Sequence, residues 1–340
     1  MNQKQCAVIN FNMTFLIIII ALVLIFDFIN GFHDSANSIA TVVSTKVLSP
    51  IAAVGLAAAF NFIAFLVFPL KVATTIGKGV INPEIITLEL IAAAVTAAVI
   101  WNLITWWMGL PSSSSHTLVG GLVGAAIAGY GLGSVIYAGV IKIAIFIVVA
   151  PVLGMIMAYV ISVIVLHIVK NHPPSGVDRW FRRLQLLSAS AFSLGHGGND
   201  AQKSMGIIWV ALIATNQVAK DAPIDLWIVL SCHAAIALGT LFGGWRIVKT
   251  MGQRITKLKP FEGFCAETAG ALTLFGATHF GIPVSTTHTI TGSIIGVGAT
   301  KRISAVKWGV TKKIFWAWIL TIPVSALIGA VLYYLFQVIF

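Results

Sequence analysis

Six long apolar runs recur along the chain, at 15–29, 51–70, 85–107, 143–167, 226–247 and 314–340, near the roughly 20 residues that an α-helix needs to cross a bilayer. A soluble core cannot enclose them, because 58% of the 340 residues are hydrophobic and only 9% are charged. In lipid the backbone polar groups must be satisfied within their own segment, so the runs read as helices and the chain as an all-α, polytopic membrane bundle. A membrane barrel would show short segments of alternating polarity, and these runs do not alternate. The first run has a weak basic flank, Lys4, and no small-residue cleavage pattern, so it is expected to be a retained helix. Cys6, Cys232 and Cys265 are scattered and suggest neither a disulfide framework nor a metal cluster.

The formal charge of +11 invites a nucleic-acid reading, but the basic residues lie in loops between apolar runs, where topology explains them better. Full crossings near 14–45, 50–70, 140–168, 184–218, 224–247 and 314–338 with an outside N-terminus place fifteen Lys and Arg inside, against four outside (Lys4, Lys71, Lys78, Lys220). Both termini are then expected to be periplasmic, with the protein in a bacterial inner membrane.

The chain also repeats itself. Gly109-Leu-Pro-Ser-Ser-Ser-Ser-His-Thr-Leu-Val-Gly-Gly-Leu-Val-Gly124 aligns without gaps on Gly281-Ile-Pro-Val-Ser-Thr-Thr-His-Thr-Ile-Thr-Gly-Ser-Ile-Ile-Gly296, with seven of sixteen positions identical. Gly31-Phe-His-Asp-Ser-Ala-Asn-Ser38 matches Gly197-Gly-Asn-Asp-Ala-Gln-Lys-Ser204 in the same order. Residues 1–170 and 184–340 are therefore expected to be two halves of inverted topology, joined by a basic cytoplasmic linker at 171–183 that opens with turn formers. Each Gly-x-Pro-x-Ser segment breaks a pair of apolar stretches, which predicts two re-entrant hairpins with buried tips. Interrupted segments at matching places in two halves point to a transporter's binding site.

Ionisable residues are costly inside a membrane, about 2.5 to 3.5 kcal/mol each at a helix centre, so Asp34 with His33, and Asp200 with Lys203, stand out. The glycines around them, disfavoured in helices, predict local unwinding that frees carbonyls for a cation and amides for an anion. Ser112 to Ser115 and Ser285 to Thr287 each precede an apolar helix, where hydroxyls cap and exposed amides form an anion pocket. Two such termini facing each other suit a tetrahedral oxyanion, which would be prohibitively expensive to bury bare, and Lys203 would offset its charge. Each feature also has a plainer explanation. The hydroxyls can bond their own helices, and the glycines can serve close packing. His116 and His288 can bond the hairpin backbone, while His167, His172, His233 and His279 fit interfacial or packing places. Asp27 fits a helix end, and Glu267 either a cavity carboxylate or a structural partner. Repetition in matched contexts favours the functional reading for the hydroxyl clusters.

These motifs resemble the inorganic phosphate transporter (PiT) family, whose halves each carry a signature close to G-x-N-D-x-A-N. Here it stands as Gly31-Phe-His-Asp-Ser-Ala-Asn37 and Gly197-Gly-Asn-Asp-Ala-Gln-Lys203, beside the paired Pro-Ser-His segments and Trp101-Asn102. The resemblance spans nearly the whole chain. It implies an inverted-repeat fold with broken helices, phosphate held between the halves and cotransport driven by protons or sodium. Asn37, Asn199, Lys203, Ser113, Ser114, Ser115, Ser285, Thr286 and Thr287 would then contact phosphate, and His33, Asp34, Asp200 and Glu267 would serve the coupling ion. His33 in place of Asn, and Gln202-Lys203 in place of Ala-Asn, resemble the bacterial low-affinity Pit branch, associated with proton coupling and with phosphate carried as a metal complex. A titratable His and an added cation disfavour a sodium site. The expectation is a proton-coupled symporter, not an enzyme, without a resident cofactor and capable of forming a homo-oligomer. A sodium-coupled phosphate symporter and a sulfate permease are the alternatives. An intramembrane hydrolase lacks a metal-ligand spacing or nucleophile motif.

Overall fold

A computed structural model describes the backbone of residues 3–339 and the side chains of 13–338, so the side chains of Lys4 and Cys6 lie outside the described residues. Among the described residues twelve α-helices follow in order: α1 (Gln3–Ser44), α2 (Pro50–Ile63), α3 (Lys71–Gly79), α4 (Leu88–Met108), α5 (Ser114–Tyr130), α6 (Tyr137–Val169), α7 (Pro174–Ala214), α8 (Leu226–Phe242), α9 (Trp245–Lys249), α10 (Pro260–His279), α11 (Thr286–Lys301) and α12 (Trp308–Ile339). Among the described residues four stretches are long and apolar enough to cross a membrane: Met13–Ser44, Leu88–Met108, Tyr137–Val169 and Trp308–Val338. Two bent pairs, Pro50–Leu66 with Lys71–Gly79 at 82° and Leu226–Phe242 with Trp245–Arg254 at 62°, raise the candidates to six. α7 was expected as a crossing over 184–218 but falls short on apolarity, because its middle carries His196, Asn199, Asp200, Gln202 and Lys203. Residues 174–183 of the expected linker form its first turns.

The glycine-rich signature segments do not unwind. α1 runs unbroken through Gly31–Ser38, and α7 through Gly195–Gly206. The glycines are there for contact: a Cβ on Gly31 would lie 2.2 Å from the carbonyl oxygen of Ile236 in α8, and one on Gly197 would lie 2.5 Å from that of Asn61 in α2. The breaks fall instead in the partners of these long helices, and the signatures pin them. Gln202 Oε1 accepts from the backbone N–H of Val72 (2.9 Å) and Ala73 (3.3 Å) at the start of α3, and Ser35 Oγ accepts from Gly244 N (2.5 Å) just before α9. Both are capping interactions supplied from another helix.

α4 with α5, and α10 with α11, form helical hairpins. Gly109 and Gly281 start their tips in the left-handed region, at φ 68° and 67°, which an L side chain enters only at a cost. α5 packs on α12 and α11 on α6, so each inner hairpin helix lies on the last helix of the other part of the chain. A Cβ on Gly124 would meet Ala326 O at 1.9 Å, and one on Gly292 would meet Pro151 O at 2.0 Å.

The hairpins open toward opposite ends of the bundle. The far end of α5 joins the loop after α3, through Asn82 N to Ser134 O at 2.9 Å. Close by, Met13 at the start of the membrane part of α1, Leu88 of α4 and Ala214 of α7 line one surface cavity. The far end of α11 lies where Lys301 meets Glu262 (2.7 Å) and Lys257 O (2.9 Å). At that same end Arg182 of α7 donates to Lys46 O (2.9 Å), just past α1, and Val169, Asp178 and Lys259 line another cavity. α6 and α12 turn large apolar side chains outward, among them Ile141, Ile145, Ile156, Leu327 and Val331, as lipid-facing helices do.

Candidate functional site

α1 and α7 pack side by side in the interior, and both hairpin tips reach them. Asp34 and Asp200 occupy neighbouring places on these two helices, and both are buried. Asp34 Oδ1 bonds His33 Nδ1 at 2.6 Å and accepts from Thr287 Oγ1 at 3.4 Å, while Oδ2 accepts from Ser114 Oγ at 3.3 Å. Asp200 Oδ2 accepts from Thr286 Oγ1 at 3.3 Å and lies 3.4 Å from His196 Nε2. Its Oδ1 pairs with the ammonium of Lys203, which also donates to Ser115 Oγ and, at 3.1 Å, to Val284 O. All three ammonium protons therefore have acceptors. Both acids thus receive hydroxyls from a hairpin, Asp34 from both hairpins.

The serines and threonines divide into two roles. Ser113 and Ser285 are the N-caps of α5 and α11, accepting from His116 N (3.3 Å) and His288 N (3.2 Å). Ser114, Ser115, Thr286 and Thr287, one or two places further on, turn to the carboxylates, Lys203 and Asn37. Asn37 donates to Thr286 (3.2 Å) and Thr287 (2.9 Å), Asn199 to Thr278 (2.9 Å) and Ile282 O (3.2 Å), and the Oδ1 of each has no partner. The free Asn37 carbonyl oxygen, two carboxylates and two helix N-termini meet here, and Asn199 ties α7 to the second hairpin beside them. N-termini favour an anion; oxygens and carboxylates favour a cation. The arrangement suits a tetrahedral anion bound together with a cation or proton.

Glu267 is not in this cluster. Its oxygens accept from Thr41 (2.5 Å), Gln185 (3.0 Å) and Ser188 (2.5 Å), two turns along α1 from Asp34. The rings of His116 and His288 face each other at 4.9 Å between centroids, and His288 stacks on Trp318 at 4.0 Å.

Sequence reasoning missed His196. It sits one turn before Asp200, bonds Asn61 Oδ1 at 3.1 Å, and offers a ring nitrogen that lies within 4.8 Å of carboxylate oxygens of Asp34 and Asp200. These three are a donor set able to hold a cation. Its i, i+4 spacing from Asp200 was a signal available in the sequence.

Comparison with known proteins agrees with this geometry. Residues 30–329 match the Phosphate transporter family. A protein of Rhizobium meliloti named "Probable low-affinity inorganic phosphate transporter" is 57% identical over 316 residues, covering 93% of this chain and 95% of that one. A Bacillus subtilis protein of the same name is 46% identical over 332 residues, covering 96% and 98%. A solved structure titled "The sodium-dependent phosphate transporter" superposes with a TM-score of 0.86 at 27% identity, over 96% of this chain and all of that one.

Proposed function

Since this chain belongs to the phosphate transporter family, a family of multi-pass membrane transporters and not of enzymes, we propose that it is a symporter that imports inorganic phosphate with protons. The observation that carries this reading is the meeting of the α5 and α11 N-termini over Asp34, Asp200 and Lys203. Phosphate takes the place between Ser114, Ser115, Thr286, Thr287, Asn37 and Asn199, where amide dipoles replace its hydration. Proton coupling rests on Lys203. Its ammonium is bonded to Asp200, so a positive charge already stands where a sodium ion would compete, and His33 Nδ1 lies 2.6 Å from Asp34 Oδ1, within reach of a proton passed to or from that carboxylate. Phosphate travels as the free ion or as a metal complex.

The scaffold of this reading is two inverted halves, 1–170 and 184–340, in a bacterial inner membrane with both termini periplasmic and the basic 171–183 stretch cytoplasmic, with a homo-oligomer as a possible assembly. Supporting it are the oppositely opening hairpins and the matched contacts of α5 with α12 and α11 with α6. Sodium coupling is the second reading. It is favoured by the sodium dependence named for the similar solved structure and by the Asp34, His196 and Asp200 donor set.

Uptake of labelled phosphate into proteoliposomes separates the two. An inward proton gradient without sodium is expected to drive accumulation, and Asp34→Asn or Asp200→Asn to abolish it. Strict sodium dependence with no response to a proton gradient overturns proton coupling while leaving phosphate as the substrate. No accumulation under either gradient rejects the symport reading.

A further inference from the structure

A polar seam runs along the α1 and α7 contact, and one of its members is unlike the rest. Asp27, Asn30, Asp34, Asn37 and Thr41 recur every three or four residues, so they share one face of α1. From α7, which runs the other way, Ser204 lies beside Asp27, Asp200 and His196 near Asp34, and Gln185 with Ser188 beside Thr41 and Glu267. The seam, with Glu267 of α10, thus has three acidic stations. The middle one is the site described above. The one toward the end of α1 is Glu267, whose oxygens receive three hydrogen bonds.

Asp27 is the third. It lies inside the membrane part of α1 and not at a helix end; it is wholly buried among Phe26, Val23 and the α7 and α8 apolar side chains, and its carboxyl oxygens have no backbone or cationic partner. Its polar neighbours are the Ser204 hydroxyl and the Cys232 thiol, and the charged groups within electrostatic reach are Asp200 and Lys203, all from α7 and α8. α4, which also packs on α1, has no titratable side chain except Glu89 in its first turn. A bare carboxylate in such a place would cost far more than the fold can offset. A hard cation is no remedy, because it takes about six oxygens and the unbroken helices on either side keep their carbonyls in their own ladders. A proton needs one oxygen and leaves nothing charged.

We propose that Asp27 is a proton-binding site, separate from the phosphate centre, that carries the coupling proton between the α1 N-terminal end of the bundle and the Asp34 and Asp200 cluster. This inference rests on the proton-symport reading. Ser204 and Cys232 serve as its hydrogen-bonding partners as the proton enters and leaves, and the two helical turns from Asp27 to Asp34 are bridged by Asn30, whose Oδ1 is without a partner.

Infrared difference spectra and transport together test it. At neutral pH the unmutated protein is expected to show the C=O stretch of a protonated buried carboxyl that is missing in Asp27→Asn. The Asn side chain is close in shape and charge to the protonated acid, so this variant is expected to fold with the same gel-filtration profile. Its proton-driven phosphate accumulation is expected to be lost, and Asp27→Glu to restore it. Full proton-driven accumulation in Asp27→Asn, or no carboxyl band separating the two proteins, overturns the proposal. Absence of accumulation in the unmutated protein is a failure of the symport reading, and the infrared comparison then decides Asp27 by itself.

Discussion

At the scale of the residue, Lys203 and Asp200 show how a buried pair is made tolerable. Two charges in a low-dielectric interior cost several kcal/mol to desolvate, and the loss is recovered only when every donor and acceptor finds a partner. Here Ser115, Val284 O, Thr286 and His196 complete the set. Removing one charge leaves the other stranded. Lys203→Met is therefore expected to lower stability by about 3 to 5 kcal/mol, and adding Asp200→Asn to recover most of it; a thermal-unfolding series in detergent checks both. Ser114→Ala and Thr286→Ala remove hydroxyls that would meet a charged ligand, so each is expected to weaken phosphate binding by about 1.5 to 3 kcal/mol, measured by calorimetry. Unchanged binding in both would take the hairpin tips out of the phosphate site. Asp34, Asp200 and Lys203 were recognisable because membrane charges are rare. Ser113 and Ser285 could not be told from their neighbours, since which hydroxyl caps a helix depends on where the helix starts, a matter of one residue.

Elements hold this site by close approach and by capping from a distance. The signature glycines let α1 and α7 touch the backbones of α8 and α2, and overpacking such contacts costs about 1 to 3 kcal/mol. Gly31→Ala and Gly197→Ala are expected to lower the melting temperature, while Gly55→Ala, where a Cβ meets nothing within 4 Å, is expected not to. Gln202→Ala removes the acceptor at the start of α3 and is expected to cost about 0.5 to 2 kcal/mol, the usual loss for a helix cap. The sequence suggested unwinding because glycine is a poor helix former, but propensity is a weak prior against tertiary contact. The long helices stay whole, and the bends fall in α2–α3 and α8–α9, whose partners in α7 and α1 supply the caps.

For the molecule as a whole, the two hairpins reach the centre from opposite ends, so their outer loops should face opposite compartments. Leu132, after α5, and Ile303, after α11, are both well exposed. In a Cys6→Ser background, an impermeant thiol reagent is expected to label Leu132→Cys from outside intact cells and Ile303→Cys only after the membrane is opened. Labelling of both from one side would reject the inverted arrangement.

The sequence by itself determined the solvent, the helical class, the hairpins and the polar residues of the centre. Apolar run length, backbone satisfaction in lipid and the repeated Gly-Pro-Ser-His segments each leave few alternatives, and they act locally along the chain. Tertiary structure alone decided which carboxylate meets which hydroxyl, that His196 joins Asp34 and Asp200, that Glu267 stands apart from them, and that Asp27 is buried beside Ser204 and Cys232. Those facts depend on how helices far apart in sequence are rotated against one another. A turn of one residue on an α-helix moves a side chain about 100° around the axis, and no local pattern fixes that angle until the partner helices are in place.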